Sequence, residues 1–269
     1  TEWQAYKSVA ATVEQLGETM IGKDPMAAEA AWWDNAGFMF RNRGGIGFKA
    51  MSGIDTALWD IRGKALDAPV WQLLGGKVRN KIRLHLLMGG KRPDASDQGT
   101  NAEGLLANAR AAAEEGFTAI KTDPLPDGFQ SMTLPRLIHD TRENVAAMRE
   151  GAGLDVDIIL EMHRKLTPMV AIALAEQLVE FQPMFYEDPV QIDSIKSQAE
   201  VAQRTTLPVA NGERMHSIWE FREMFELGGS QYARPDLGLA GGLTAVKKIA
   251  AIAMDLRHQD VPEAKLQTE

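Results

Sequence analysis

The sequence predicts an α/β fold in which short strands and longer helices alternate around a parallel sheet. From about Asn80, runs rich in β-branched and aromatic residues alternate with alanine- and leucine-rich stretches of helical spacing. Before Asn80, helical patterns follow one another without a strand between them. We therefore expect residues 1–79 to form a partial, mostly helical domain with its linker, 80–254 the βα domain, and 255–269 a polar C-terminal tail.

The predicted elements follow from hydrophobic spacing and turn residues. In the helical part they are the helices 4–20, 25–40 and 50–66, with a glycine-rich link at 43–48 before the last of them. In the βα part the predicted strands are 82–88, 118–122, 157–162, 184–186, 208–210 and 231–234. Helices such as 101–115 and 168–180 separate these strands and are expected to pack their apolar faces against the sheet.

Polar side chains stand at the ends of the predicted strands in a regular register. They are Lys121, Glu161, Glu187, Glu213 and Asp236. The last four are separated by 26, 26 and 23 residues, close to one βα period each. In a closed (β/α)8 barrel this spacing places them around one rim, where barrel active sites lie. In an open sheet they would lie in a row, so only closure makes them converge.

The composition limits the classes of function. The chain of 269 residues has 29 Lys plus Arg against 37 Asp plus Glu, and this net charge of -8 argues against a nucleic-acid binder. The absence of cysteine excludes disulfides, zinc–thiolate sites and thiol catalysis. The sequence shows neither an apolar run of membrane-spanning length nor a signal-peptide pattern at its start. We therefore expect a cytoplasmic protein that binds neither nucleic acid nor a membrane.

Three carboxylates, Glu161, Glu187 and Glu213, are the strongest candidate metal ligands. Each follows an apolar strand at a matched position. Carboxylate oxygens are the hard ligands that Mg²⁺ prefers, and such a cluster without a cation would repel itself. Any one of them alone would more simply be a solvated loop carboxylate. Their shared register favours a metal site.

Other polar residues near the same rim are candidates for catalysis or substrate binding. His163 lies two residues beyond Glu161, so on an extended segment both side chains would point to the same side, where His163 could donate a proton. Lys121 could hold a substrate carboxylate or act as a base, or simply extend along apolar surface. Asp236 could orient a histidine, or cap the turn before the glycines that follow it. The candidate substrate contacts are Arg164, Arg214 and His216.

Several motifs occur in a characteristic order. They are SGIDTALWDI at 52–61, PVWQLLGG at 69–76, YEDP at 186–189, NGER at 211–214, and Pro235-Asp236 followed by AGG at 240–242. Together they resemble the enolase superfamily, in the branch of mandelate racemase and the acid-sugar dehydratases. The resemblance implies a capping domain over a modified (β/α)8 TIM barrel, of which six βα units are visible here. It also implies a homo-oligomer, with Mg²⁺ held by Glu161, Glu187 and Glu213.

Residues 161–168, EMHRKLTP, resemble the galactonate and mannonate dehydratases of that branch. This resemblance makes His163 the general acid and Asp236 the partner of a histidine base. The implied reaction is Mg²⁺-dependent dehydration of an aldonic or aldaric acid. The proton alpha to the carboxylate is abstracted through a metal-stabilised enediolate, with Lys121 supplying further positive charge, and the 3-hydroxyl leaves to give a 2-keto-3-deoxy acid.

Two alternatives stay open. One is a racemase or epimerase of the same superfamily, although residues 121–123 read Lys-Thr-Asp where racemases carry Lys-x-Lys, which favours dehydration. The other is a catalytically inactive metal-binding scaffold. It would apply if the chain truly lacks the family's seventh and eighth strands, one of which carries the dyad histidine. We expect instead that the sequence omits segments of a longer protein, joined at about Met254 to Asp255.

Overall fold

The computed structural model describes residues 5–41, 44–88 and 101–260, and these fall into two compact units. The first unit contains the described residues up to Lys81, together with Gly212–Glu226 and those from Arg234 onward. The second unit contains the described residues from Ile82 to Asn211 and the segment Leu227–Ala233. The domain boundaries expected after residues 79 and 254 remain predictions.

Helices and strands alternate through the second unit, whereas the first unit is built from helices. The α-helices are α1 (Tyr6–Glu18), α2 (Ala28–Arg41), α3 (Gly45–Ala65), α4 (Val70–Leu73), α5 (Ala102–Glu114), α6 (Leu134–Ala152), α7 (Pro168–Glu176), α8 (Ile195–Arg204), α9 (Ile218–Glu226) and α10 (Gly242–Asp260). Short 3-10 turns lie at Phe129–Ser131 and Val179–Phe181. Within the described residues, none of these helices combines the length and apolarity that a membrane crossing requires.

The second unit contains a six-stranded parallel sheet whose strands follow chain order. The strands are β1 (Leu86–Leu87), β2 (Ala119–Thr122), β3 (Asp157–Glu161), β4 (Phe185–Glu187), β5 (Val209–Asn211) and β6 (Tyr232–Ala233). A strand forms within each of the six predicted ranges, but β1 covers only residues 86–87 of the predicted 82–88, and β4 and β5 each end one residue later than expected. Sequential parallel order with a helix between neighbours is the βα arrangement that the sequence predicts.

The two faces of the sheet have different surroundings because successive side chains of a strand point to opposite faces. Ile120, Ile158, Leu160 and Tyr186 belong to the main apolar core, together with residues of the surrounding helices α5 to α8. Ile159, Phe185 and Ala210 form a small separate cluster with Met184. Glu161 and Glu187 lie two positions beyond Ile159 and Phe185, so they share this second face.

In the first unit, α3 packs against α1, α2 and α10. This helix begins at Gly45, inside the stretch that the sequence assigned to a glycine-rich link, so that assignment was wrong for residues 45–48. Glycine weakens a helix by its conformational freedom, but packing overrides this preference here. A Cβ on Gly47 would lie 3.7 Å from the Phe38 ring, which shows how closely the first turn of α3 approaches α2.

The last helix, α10, also differs from the expectation. It continues past Met254 to Asp260, so residues 255–260 are helical rather than part of an irregular tail. The remainder of the predicted tail lies outside the described residues. The helix begins at Gly242, and Gly241 and Gly242 have positive φ angles of 103° and 82°, so a glycine turn leads directly into it.

Candidate functional site

The sheet brings Lys121, Glu161 and Glu187 to one face. Glu161 and Glu187 are the last residues of β3 and β4, and they are direct partners in the parallel register. Lys121 on β2 is the register partner of Ile159, which shares a face with Glu161. Because residues two apart on a strand point the same way, the three side chains meet.

The lysine bridges the two glutamates. Its Nζ donates to Glu161 Oε2 and to Glu187 Oε1, each at 2.7 Å. The exposed fractions of the three residues are 7% for Lys121, 1% for Glu161 and 0% for Glu187. Charge-assisted hydrogen bonds of this length in a region shielded from water are strong, and they offset part of the cost of burying the charges.

Asp188 adds a third buried carboxylate, which the sequence reasoning did not name as a site residue. One oxygen each from Glu161, Glu187 and Asp188 lie within 4.8 Å of one another. Adjacent residues of an extended strand would point to opposite faces, but Asp188 has a left-handed φ of 40° that turns the chain where β4 ends. Its N–H still donates to the Ala210 carbonyl at 2.9 Å. The signal available in the sequence was a second carboxylate directly after Glu187.

The segment after β3 is tied to the segment after β4. Backbone N–H groups of Met162, Arg164 and Leu166 donate to the carbonyls of Glu187, Asp188 and Pro189 at 3.0, 2.7 and 3.2 Å. The guanidinium of Arg164 also lies 3.5 Å from Asp188 Oδ2. These contacts hold both loops, and therefore the carboxylates on them, in one arrangement.

His163 does not continue the strand, so the premise that it lies on an extended segment with Glu161 was wrong. His163 and Arg164 both have left-handed φ angles, 50° and 62°, which non-glycine residues adopt only where the surroundings require it. The His163 N–H donates to Glu161 Oε1 at 3.1 Å, which anchors this turn to the carboxylate group. The imidazole itself is exposed. Its role as a proton donor remains a prediction.

The donor set fits a hard divalent cation. Glu161, Glu187 and Asp188 offer three carboxylate groups as ligands, and Lys121 and Arg164 contact this group. Carboxylate oxygens favour Mg²⁺ or Ca²⁺ over softer metals, and neighbouring carboxylates repel one another less when they share a cation. Glu213, the third predicted ligand, belongs to the first unit, so its part in such a site remains a prediction.

The other predicted site residues of the first unit lie close to one another in sequence. Arg214 Nε is 3.5 Å from Glu213 Oε1. The His216 ring packs on Phe48 with centroids 5.7 Å apart, and its backbone N–H donates to Glu220 Oε2 at 2.7 Å. Burial lowers the pKa of the His216 imidazole, although Glu220 acts in the opposite direction. His216 is therefore mostly neutral at pH 7, able to accept a proton or a hydrogen bond.

Asp236 is exposed and caps the turn that leads to α10. Its Oδ1 accepts a hydrogen bond from the Gly238 N–H at 2.7 Å, and its carbonyl accepts from Leu239 and Ala240. This is the turn-capping role that the sequence left open beside a catalytic one. The predicted pairing of Asp236 with a histidine base remains a prediction.

Two family models match the chain. The mandelate racemase / muconate lactonizing enzyme N-terminal domain matches residues 3–75, and the enolase C-terminal domain-like family matches residues 104–265. The D-galactonate dehydratase of Klebsiella pneumoniae (strain 342) is 38% identical over 250 residues, which are 92% of this chain and 62% of that protein. The D-galactonate dehydratase of Variovorax paradoxus (strain S110) is 36% identical with the same coverage. The chain thus spans 62% of the length of these curated relatives.

Solved structures agree with this placement. A member of the enolase superfamily from Salmonella Typhimurium has a TM-score of 0.88 and 33% identity, covering 95% of this chain and 69% of that one. The 3,6-anhydro-D-galactonate cycloisomerase from Zobellia galactanivorans has a TM-score of 0.80 and 28% identity, covering 93% of this chain and 66% of that one. The chain belongs to the enolase superfamily, in its mandelate racemase and muconate lactonizing enzyme branch, and its βα units are those of a modified TIM barrel with a capping domain.

Proposed function

We propose that this protein is a Mg²⁺-dependent dehydratase of a sugar acid, either an aldonic or an aldaric acid. The observation that carries the proposal is the group of buried carboxylates around Lys121 at the ends of β2, β3 and β4. The relatives named D-galactonate dehydratase support the same reaction class and a substrate of this chemistry. The product would be a 2-keto-3-deoxy acid.

Glu161 and Glu187 would hold the Mg²⁺, with Asp188 beside them. The prediction of Glu213 as a further ligand rests on the family resemblance. A bound Mg²⁺ supplies positive charge that stabilises negative charge developing on the substrate carboxylate, and so makes the neighbouring C–H proton more acidic. The ammonium of Lys121 would add to this effect by pairing with the substrate carboxylate.

Loss of water requires a base for the alpha proton and an acid for the leaving hydroxyl. The family resemblance assigns the base to a histidine partnered by Asp236. We assign the acid to His163, because its imidazole is exposed while its backbone is anchored to Glu161. Proton removal and departure of the 3-hydroxyl as water give an enol, which tautomerises to the keto acid. Arg164, Arg214 and His216 are proposed as contacts to the sugar hydroxyls or to a distal carboxylate.

Dehydration fits this site better than racemisation. A racemase needs an acid/base group on each face of the alpha carbon, and the position that would carry the second one is Asp123. Its carboxylate forms an ion pair with Lys165 and accepts the Leu125 N–H at 3.0 Å. Both contacts engage the carboxylate away from the position of a second catalytic base, which favours dehydration.

The test is a screen of aldonic and aldaric acids with the purified protein and Mg²⁺, detecting 2-keto-3-deoxy acids as they form. Glu187→Gln should abolish turnover because it removes a ligand carboxylate, whereas the matched variant Glu143→Gln, at an exposed position of α6, should leave it unchanged. Recovered substrate should be examined for deuterium after reaction in D₂O. Deuterium uptake at the alpha carbon with inversion of its configuration, and without formation of a keto acid, would contradict dehydration and indicate an epimerase.

A further inference from the structure

Lys121 contacts two of the three carboxylates that are proposed to hold the metal. Its Nζ lies 2.7 Å from Glu161 Oε2 and 2.7 Å from Glu187 Oε1, and these oxygens belong to the same carboxylates that form the candidate metal group. The ammonium is therefore the cation that compensates these carboxylates in the structure described here.

This compensation is necessary because the group is buried. Charged groups removed from water are strongly destabilising unless they are paired, and neighbouring carboxylates repel one another. Arg164 lies 3.5 Å from Asp188 Oδ2. Lys121 pairs with both Glu161 and Glu187.

The same contacts conflict with a bound divalent ion. A metal held by Glu161 and Glu187 would lie close to an ammonium that is itself within hydrogen-bond distance of both carboxylates. Two positive centres so close together in a poorly solvated region repel each other strongly. Metal and ammonium therefore compete for the same pair of carboxylates.

We propose that Lys121 is an internal counter-ion that exchanges with the metal. In the metal-free protein the ammonium neutralises Glu161 and Glu187. When the metal binds, at least one of these contacts breaks and the ammonium becomes available to pair with an anionic carboxylate of the substrate. Metal binding thus prepares the anion site, and the two ligands bind in order, metal first. The exchange rests on the metal site of the proposed function.

The first test measures Mg²⁺ affinity by isothermal titration calorimetry, without substrate, in the wild type, Lys121→Met and Lys165→Met. Lys165 is the matched control, because it lies near the same loops but pairs with Asp123 instead of the ligand carboxylates. Exchange predicts that Lys121→Met binds Mg²⁺ about tenfold more tightly than the wild type, a coupling of ordinary size. Lys165→Met should bind within about twofold of the wild type, since an exposed ion pair contributes little. Equal affinity in Lys121→Met and the wild type would overturn the exchange.

The second test uses the wild type and does not depend on whether Lys121→Met folds. Lysines are acetylated with an amine-reactive ester, with and without Mg²⁺, and the sites are quantified by mass spectrometry. Lys121 is buried and paired, so it should react slowly without Mg²⁺ and several-fold faster with it. Lys165, which is 42% exposed, should react equally in both conditions and serves as the internal control. An unchanged or slower reaction of Lys121 with Mg²⁺ would overturn the exchange.

The two tests also separate this inference from the proposed function. If the wild type binds no Mg²⁺ at millimolar concentration, the metal site itself is wrong and the exchange is rejected with it. If the wild type binds Mg²⁺ while Lys121→Met binds it with the same affinity and Lys121 labelling stays constant, only the exchange is rejected and the metal site stands.

Discussion

Each compact unit buries a group of polar side chains, and the two groups balance their charge differently. In the first unit, the Asp55 carboxylate of α3 accepts hydrogen bonds from the N–H and the hydroxyl of Thr244 in α10, at 3.0 and 2.5 Å. In the second unit, Glu161, Glu187 and Asp188 lie together, and Lys121 forms ion pairs with the first two. A single carboxylate that accepts hydrogen bonds is satisfied by them, whereas carboxylates buried side by side repel one another and are suited to bind a cation.

The first group joins two helices that are far apart in sequence. Thr244 also accepts a hydrogen bond from the Trp59 indole at 2.9 Å, and Ser52 accepts from the Gly241 N–H at 3.0 Å. A carboxylate at the N-terminus of α10 is favoured by the helix dipole. This group therefore fixes the first turn of α10 against α3. The comparison teaches that burial alone does not mark a functional carboxylate; several carboxylates buried together do.

The largest expected effect comes from Glu161→Gln. It removes one ligand charge from the second group but keeps the side-chain volume, so turnover should fall on the order of 10³-fold or more, because metal stabilisation of the developing charge contributes several kcal/mol. The midpoint of urea unfolding without Mg²⁺ should change little, since Lys121 keeps its contact with Glu187. Loss of folding and activity together would instead assign this group a structural role.

The corresponding change in the first group is Asp55→Ala, which should affect the stability of the fold more than turnover. It leaves two buried donors of Thr244 without their acceptor, so the free energy of unfolding should fall by about 3 kcal/mol. The matched variant Asp60→Ala, on the same helix but in an exposed pair with Lys64, should cost less than about 0.5 kcal/mol. Urea unfolding measures both. Equal decreases in the free energy of unfolding in the two variants would show that the Asp55–Thr244 contact contributes no more than an exposed ion pair.

A smaller decrease in the free energy of unfolding is expected from Gly242→Ala. A Cβ on Gly242 would lie 2.4 Å from Asp55 Oδ2, and its φ of +82° already disfavours a side chain. We expect a loss of about 2 kcal/mol, of which about 1 comes from backbone strain alone. Gly228→Ala is the control, because it has a φ of +64° with open space around the added Cβ and should show only the strain. Urea unfolding measures both variants. Equal decreases in the free energy of unfolding would show that the contact of the added Cβ with Asp55 costs nothing beyond the backbone strain.

The smallest effect concerns pH. Burial raises the pKa of the Asp55 carboxyl in the folded protein, although Thr244 acts in the opposite direction. The folded state therefore binds the proton more readily than the unfolded chain, whose Asp pKa is about 3.9. The contribution of Asp55 to stability is thus greatest below that pH and declines as the pH rises through the folded pKa. The free energy of unfolding of the wild type should decline relative to that of Asp55→Asn over this window. A rise of the wild-type free energy of unfolding relative to that of Asp55→Asn over the same pH range would contradict a raised Asp55 pKa.

Much of the site could be predicted from strand ends. The register of Glu161 and Glu187 follows from two apolar strands of similar length, each ending in a carboxylate. Asp188 could not be placed, because it joins the group only through its left-handed backbone. His163 was misplaced for the same reason. Strand alternation predicts side-chain direction only as far as the strand extends, and both residues lie just beyond it.

The sequence by itself determined the parallel βα order, the six strands and the family, because these depend on local hydrophobic spacing and on motifs with fixed separation. Only the tertiary structure decided that α3 begins within a glycine-rich stretch, that Asp55 meets Thr244, and that Lys121 bridges two glutamates. The physical reason is that these features depend on contacts between residues distant in the chain, whose energies outweigh the local preferences that a sequence pattern expresses.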